Sequence, residues 1–224
     1  IATDEYGRAV IGSWSRWFTG LYAAGDAACS GLNGAGVLPG NRLLDALTGG
    51  SSAGGHAAEW TAKQSFSNTE NLLQSLESCE ANFDAKFSGE SPETVQRVGA
   101  LESKLLGIAT KYSSDSNNAN ELSSFIQELE QAEILAESIH LDQKSLIANT
   151  NYVALVRIHA GIRLLSASIK SSLARNESRG VHQRSDFLEE DPELIHHITV
   201  DNNANIGTLA VRKGQKDNWI LAPQ

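Results

Sequence analysis

In this 224-residue chain, the residues best suited to chemistry are a carboxylate, an arginine and the glycine-dense run between them. Asp26 follows a short apolar run, Leu21 to Ala24, and then Gly25. That pattern suits a buried strand of an α/β sheet whose carboxyl end presents an acid to a ligand. Between Cys29 and Gly40 the glycines let the backbone turn through positive φ and approach a ligand closely. Gly40 or Asn41 then caps a helix that begins near Arg42 and carries Leu43, Leu44 and Leu47. The first amides of such a helix have no partner within it, so they face an electron-rich or anionic group.

The elements that must position these groups follow from periodicity and punctuation. Residues 1–12 read as a β-hairpin, with strands at Ile1–Asp4 and Arg8–Ile11 and a turn at Glu5-Tyr6-Gly7. Gly12 to Thr19 reads as a short loop whose Trp14, Trp17 and Phe18 fill the gap between a sheet and its neighbouring layer. The helix after Arg42 contains Gly49, Gly50, Gly54 and Gly55. Each costs about 1 kcal/mol relative to alanine, which predicts that another backbone packs very close. Near Phe66 the character changes, and from Ser91-Pro92-Glu93 onward apolar residues recur every three or four positions. Val95, Val98, Leu101, Leu105, Ile108 and Tyr112 mark one helix, and Leu122, Ile126, Leu129, Ala132, Ala136 and Ile139 a second. Leu155, Ile158, Ile162, Leu165, Ile169 and Leu173 mark a third, running from about Ile147 to Arg175. Short polar connections make these an antiparallel three-helix bundle. The tail beyond Glu177 holds two short strands, at Ile198–Val200 and Thr208–Val211.

Composition removes several function classes. A formal charge of −9 argues against a nucleic-acid surface, which rests on clustered Lys and Arg. No segment reaches the roughly 18 consecutive apolar residues of a membrane span, so no direct span is expected. Cys29 and Cys79 are too few for a disulfide framework or a zinc site, and are expected as reduced thiols of a cytoplasmic chain. His182, His196 and His197 lack metal-ligand spacing, and no metal is expected. Arg179, His182, Arg184 and Asp186 read as a salt-bridged latch between domains rather than a catalytic group. A chain that opens on Ile1 and contains no methionine reads as a fragment, a processed piece or the product of a split gene.

Four motifs carry a resemblance. Ile1-Ala2-Thr3-Asp4, the strand Gly20-Leu21-Tyr22-Ala23-Ala24-Gly25-Asp26, the loop and helix from Gly31 to Leu44, and the segment from Glu177 to Phe187, ESRGVHQRSDF, occur here in that order. Together they resemble the C-terminal third of the flavoprotein subunits of succinate dehydrogenase and fumarate reductase, with relatives in L-aspartate oxidase and adenylylsulfate reductase. The resemblance implies an α+β chain. Residues 1–65 would be the C-terminal piece of an α/β FAD-binding domain, residues 66–176 the three-helix bundle, and residues 177–224 a short mixed tail packing back on the flavin domain.

By the same resemblance the cofactor is FAD. Asp26, with Gly25 before it, takes the place of an acid that hydrogen-bonds a ribityl hydroxyl. Gly40, Asn41, Arg42, Leu43 and Leu44 match the helix start facing the pyrimidine edge of the flavin, where reduced flavin carries negative charge that helix amides stabilise. Two departures stand out. Arg42 replaces an expected serine; pointing inward it would raise the flavin potential, and pointing outward it would be solvated. Val37 occupies the place of an arginine that clamps a substrate carboxylate, and a neutral side chain cannot replace that pairing. Either Arg42 binds substrate instead, or the substrate is not a typical C4 dicarboxylate.

The family's catalytic acid and its dinucleotide loop would lie upstream of Ile1. The expected function is therefore the C-terminal part of an FAD-dependent oxidoreductase that moves a hydride between a small-molecule substrate and flavin. Its expected partners are the N-terminal part of the flavoprotein and an iron-sulfur subunit or second copy, and it would meet the inner face of the membrane only through them. Two alternatives stand beside this one: a helical interaction module that docks a redox partner, and a fold-retaining relative that has lost substrate binding.

Overall fold

The structure is a computed structural model. It describes all residues except 12, 66–68, 89–96, 115, 142–144, 146, 214–218 and 222–224, and gives no side-chain environment for 13–15, 71, 88, 114, 210–213 or 219–221. The chain forms two compact units, one built from residues 1–65 and 174–224, the other from residues 66–173.

In the first unit, strand β1 (Arg8–Ile11) pairs antiparallel with β2 (Ser13–Tyr22), in the register Arg8↔Tyr22, Val10↔Trp17 and Ile11↔Ser13. The stretch expected to be an aromatic loop is thus a strand. The expected hairpin partner, Ile1–Asp4, makes only the isolated bridges Thr3↔Ala9 and Ala2↔Cys29. Asp4 explains why the chain turns there. Its buried carboxylate accepts from the backbone amides of Tyr6 and Arg8 and from Arg8 Nε, using the strong bonding capacity of a charged acceptor to close the turn. Gly7, at φ 70°, completes that turn, and a Cβ there would lie 2.6 Å from the Cβ of Ala53.

Helix α1 (Asn41–Thr61) packs on this hairpin through rings. Trp17 meets Trp60 at 5.7 Å and Tyr22 at 5.6 Å between centroids, and the Tyr22 hydroxyl lies 2.9 Å from His56 Nδ1. Phe18 is exposed, and Trp14 falls outside the described side chains. The close backbone expected at the glycines of α1 is absent among the described residues. Positions 50, 54 and 55 face open space, and the nearest neighbours of Gly49 are Asp45 Oδ1 and Ala24 Cβ, at 3.7 and 3.8 Å. A three-stranded antiparallel sheet completes this unit: β3 (His196–Val200), β4 (Ile206–Lys213) and β5 (Trp219–Leu221).

The second unit contains four described helices, not three: α2 (Glu70–Ser88), α3 (Val98–Ser114), α4 (Ala119–Ser138) and α5 (Thr150–Ala174). Its core interleaves Leu101 and Ile108 of α3, Leu122, Leu129, Ala132 and Ala136 of α4, and Leu155, Ile158, Ile162 and Ile169 of α5. These are the three-to-four-residue stripes that bury one face of each helix. Small residues let the helices approach; a Cβ at Gly161 would come within 2.8 Å of Leu105 Cδ2. A capping box starts α4, with Asn118 accepting from the amides of Asn120 and Glu121 while Glu121 returns to the Asn118 amide. Among the described residues α5 is the one helix long and apolar enough to cross a membrane, yet its apolar stripe is this core.

Helix α2 is the unanticipated element. Phe83 meets Tyr152 edge-to-face at 4.9 Å and Phe87 lies tilted against it at 5.7 Å between centroids, while Leu72, Leu73 and Leu76 are exposed. Ser91-Pro92-Glu93, expected to start the following helix, lies outside the described residues.

Candidate functional site

Asp26 stands not at a strand end but in a 3-10 turn, Gly25–Ala27, after β2 has already finished at Tyr22. Gly25 permits the turn with φ 60°, and an added Cβ would meet Ala46 of α1 at 3.2 Å, so turn and helix lie in close contact. Gly40, at φ 87° and ψ −23°, ends the glycine loop and starts α1. No side chain caps that start and no acid lies in its first turn. The Asn41 amide is taken up by the Leu38 carbonyl at 3.1 Å, which leaves the amides of Arg42 and Leu43 to carry the partial positive charge of the helix start.

The loop is held to the helix by Asn41 Nδ2, which donates to Asn33 Oδ1 at 3.1 Å. Opposite lies the acid: Arg42 Nε is 3.5 Å from Asp26 Oδ1. Thus the side chain of Arg42 links Asp26 to the start of α1. Both charged side chains are open to solvent, at 78% and 75% exposure. Leu38, Leu43, Leu44 and Leu47 are also exposed, as is Val37. So much apolar surface around one polar mouth is unusual for a finished surface and suits contact with a ring system or further protein. A cavity of about 550 Å³ lies alongside, walled by Thr3, Asp4, Gly25, Asp45, Thr48 and Ser52 among others.

The glycine loop is backed by the tail. Val181 N–H donates to the Ala35 carbonyl at 2.8 Å, and Gly180, at φ 57°, passes so close that a Cβ would sit 2.4 Å from that oxygen. What holds the tail in place is a buried carboxylate, Glu177, which is fully enclosed. It accepts from Arg175 Nη1 at 2.5 Å, from Arg179 Nε and Nη2 at 3.0 and 2.9 Å, and from the Asp191 amide at 2.8 Å. Burial alone would raise its pKa; the bonds from Arg179, the Asp191 amide and Arg175 outweigh that and lower it from 4.5 to about 2.

Arg184, also buried, forks onto Asp186 with two 2.8 Å bonds and lies 5.0 Å from the ring centre of Phe187. Ser178 Oγ accepts from the Arg184 amide and donates to the Phe187 carbonyl. His182 is held below its ordinary pKa by burial, with Arg175 and Arg184 adding to the effect. Sequence reading singled out Arg179, His182, Arg184 and Asp186 but passed over Glu177 and Arg175, on which the cluster converges. The signal was the alternation of one acid with flanking arginines, Arg175-x-Glu177-x-Arg179, immediately after an apolar helix.

Comparison with known proteins gives a consistent picture. The family described as "Fumarate reductase flavoprotein C-term" matches residues 103–220. The fumarate reductase flavoprotein subunit of Mycobacterium tuberculosis is 30% identical over 198 residues, covering 86% of this chain and 33% of that protein. The 8-methylmenaquinol:fumarate reductase flavoprotein subunit of Wolinella succinogenes is 24% identical, covering 87% of this chain and 32% of its own length. A structure of E. coli quinol fumarate reductase superposes with a TM-score of 0.79 at 20% identity, over 99% of this chain and 36% of that one. The chain thus spans about a third of the length of the curated relatives it matches. From the matched domain, and with the fold in agreement, this chain belongs to the fumarate reductase flavoprotein C-terminal family, whose named relatives are oxidoreductase flavoproteins.

Proposed function

We propose that this chain is the C-terminal part of an FAD-dependent oxidoreductase that moves a hydride between a small-molecule substrate and flavin. The observation that supports this is a proximity: Asp26 and Arg42 are 3.5 Å apart at the uncapped start of α1, with Leu43, Leu44 and Leu47 exposed nearby in sequence. These residues fit the ring and sugar-alcohol end of a flavin. The Asp26 carboxylate accepts from a hydroxyl. The amides of Arg42 and Leu43 face an electron-rich edge, and Leu43 and Leu44 offer apolar contact to a ring. Bound flavin would supply the two-electron chemistry. The protein's share is to bind, orient and keep water away, with Gly40 and Gly25 letting the backbone come close.

The tail cluster around Glu177 holds the glycine loop in place and takes no part in proton transfer, since its carboxylate is ionised and saturated with donors. The activity of the whole protein also needs the polypeptide that its relatives carry before the matched part. In this reading the substrate is a C4 dicarboxylate only where Arg42 also binds it in place of the arginine that Val37 replaces, and is otherwise a different small molecule; the protein is cytoplasmic, meeting a membrane through its partners.

The test is a visible spectrum of the full-length protein. Bound yellow flavin that bleaches on addition of succinate, aspartate or a sulfur oxyanion is the expected result. A colourless full-length protein would overturn the reading. A second reading, docking of a redox partner such as an iron-sulfur subunit, is favoured by one observation. Helix α2 exposes Leu72, Leu73 and Leu76 beside Glu70, Glu77 and Glu80, and an apolar stripe with an acidic border suits a partner with basic flanks.

A further inference from the structure

Arg42 brings a positive side chain to the start of α1, where no acid lies in the first turn. At the second residue of α1 its side chain is largely exposed, and its Nε lies 3.5 Å from Asp26 Oδ1. Of the arginines of this unit with described ion pairs, the others are tightly engaged. Arg8 holds Asp4 at 2.5 Å, Arg175 and Arg179 hold Glu177 at 2.5 and 2.9 Å, and Arg184 holds Asp186 at 2.8 Å. The Arg42–Asp26 pair is the longest of these, and both its members are more than two-thirds exposed. It is therefore the pair most easily exchanged for another partner.

We infer that Arg42 is a positioning and tuning residue of the proposed flavin site: it holds the Asp26 carboxylate in the mouth until a ligand hydroxyl takes it over, and its released guanidinium then faces the electron-rich edge of the ring. This rests on the proposed flavin site. Reduction adds negative charge to that edge, and a fixed positive charge nearby favours the reduced form, the more so once the mouth is shielded from water. Arginine is suited to the task because it stays charged at any working pH and can change partner without losing its proton.

The test is spectroelectrochemical titration of flavin in the full-length protein, comparing wild type with Arg42→Gln and Arg42→Lys. Arg42→Gln is expected to lower the preference for reduced over oxidised flavin about tenfold, a shift of roughly 30 mV downward for a two-electron couple. Arg42→Lys, which keeps the charge, is expected to stay close to wild type. A residue that merely capped the helix or filled space would leave the midpoint unmoved. If wild type holds flavin and Arg42→Gln titrates at the same potential, the role of Arg42 is overturned while the flavin site stands. If full-length wild type holds no flavin, both fall.

Discussion

Gly180 lies directly against the carbonyl of Ala35, 145 positions earlier in the chain, with no room between them for a methyl group. The next residue, Val181, donates to the same oxygen. The approach needs a residue that tolerates φ 57° and lacks a side chain. Gly180→Ala should therefore destabilise the protein by roughly 1–3 kcal/mol, through backbone strain and a displaced hydrogen bond. Urea unfolding of the full-length variant measures this, and a loss within 0.3 kcal/mol of zero would mean that the contact is not made.

Glu177 should make stability depend on acid. Its folded pKa, about 2, lies below the ordinary 4.5, so its contribution is complete above pH 4.5 and is lost as pH falls through 2. The shift corresponds to roughly 3 kcal/mol. Comparing wild type with Glu177→Gln should show that difference near pH 6 and little of it near pH 2. His182 and His197, whose pKa values burial lowers, cost stability in both proteins as pH drops below 6.5, so the difference between the two is the informative quantity.

Leu129 and Leu164 offer a contrast within the helical unit. The first is enclosed between helices; the second, on α5, is 73% exposed. Leu129→Ala should cost about 2–5 kcal/mol, Leu164→Ala less than about 0.5 kcal/mol. Equal losses in thermal or urea denaturation would show that the outer side of α5 is covered.

Ala204 sits at φ 62° in the turn between β3 and β4, where Asp201 accepts from the amides of Asn203 and Asn205. Glycine adopts that conformation without a Cβ penalty. Ala204→Gly is expected to raise stability by about 0.5–1 kcal/mol, seen as a higher midpoint of unfolding; a lower midpoint would argue against the turn.

Asp26→Ala in the full-length protein should weaken flavin retention by about 1–3 kcal/mol, the range for losing a hydrogen bond to a charged group. Dialysis followed by absorbance of the retained flavin reads this directly. Retention equal to wild type would remove Asp26 from the site.

The sequence made some elements plain and hid others for identifiable reasons. Helices α3, α4 and α5 could be read because each buries one stripe in a common core, as with Leu122, Leu129, Ala132 and Ala136. Helix α2 carries the same residue types, but Leu72, Leu73 and Leu76 stay exposed and polar residues surround them, so no buried stripe disclosed it. Strand β2 was hidden because Ser, Arg and Gly interrupt its aromatics and its register against β1 shifts twice. The glycines pointed to a tight loop before α1, while the 3-10 turn that carries Asp26 was not legible, because it depends on the packing of Gly25 against Ala46. A dense run of mixed charge is normally solvated surface. Only the convergence of Arg175, Arg179 and the Asp191 amide on one carboxylate made Glu177 a buried anchor.

One unit is assembled from the two ends of the chain, and the other from the continuous middle. On a ribosome that order has a cost in time. At about 5–20 residues per second, the opening hairpin and the leucines of α1 wait many seconds for the tail that backs their loop, whereas the helical middle can close on itself as it emerges. Synthesis halted before residue 174 should thus leave a folded bundle next to an unfinished, sticky stretch, residues 1–65, the natural client of a chaperone.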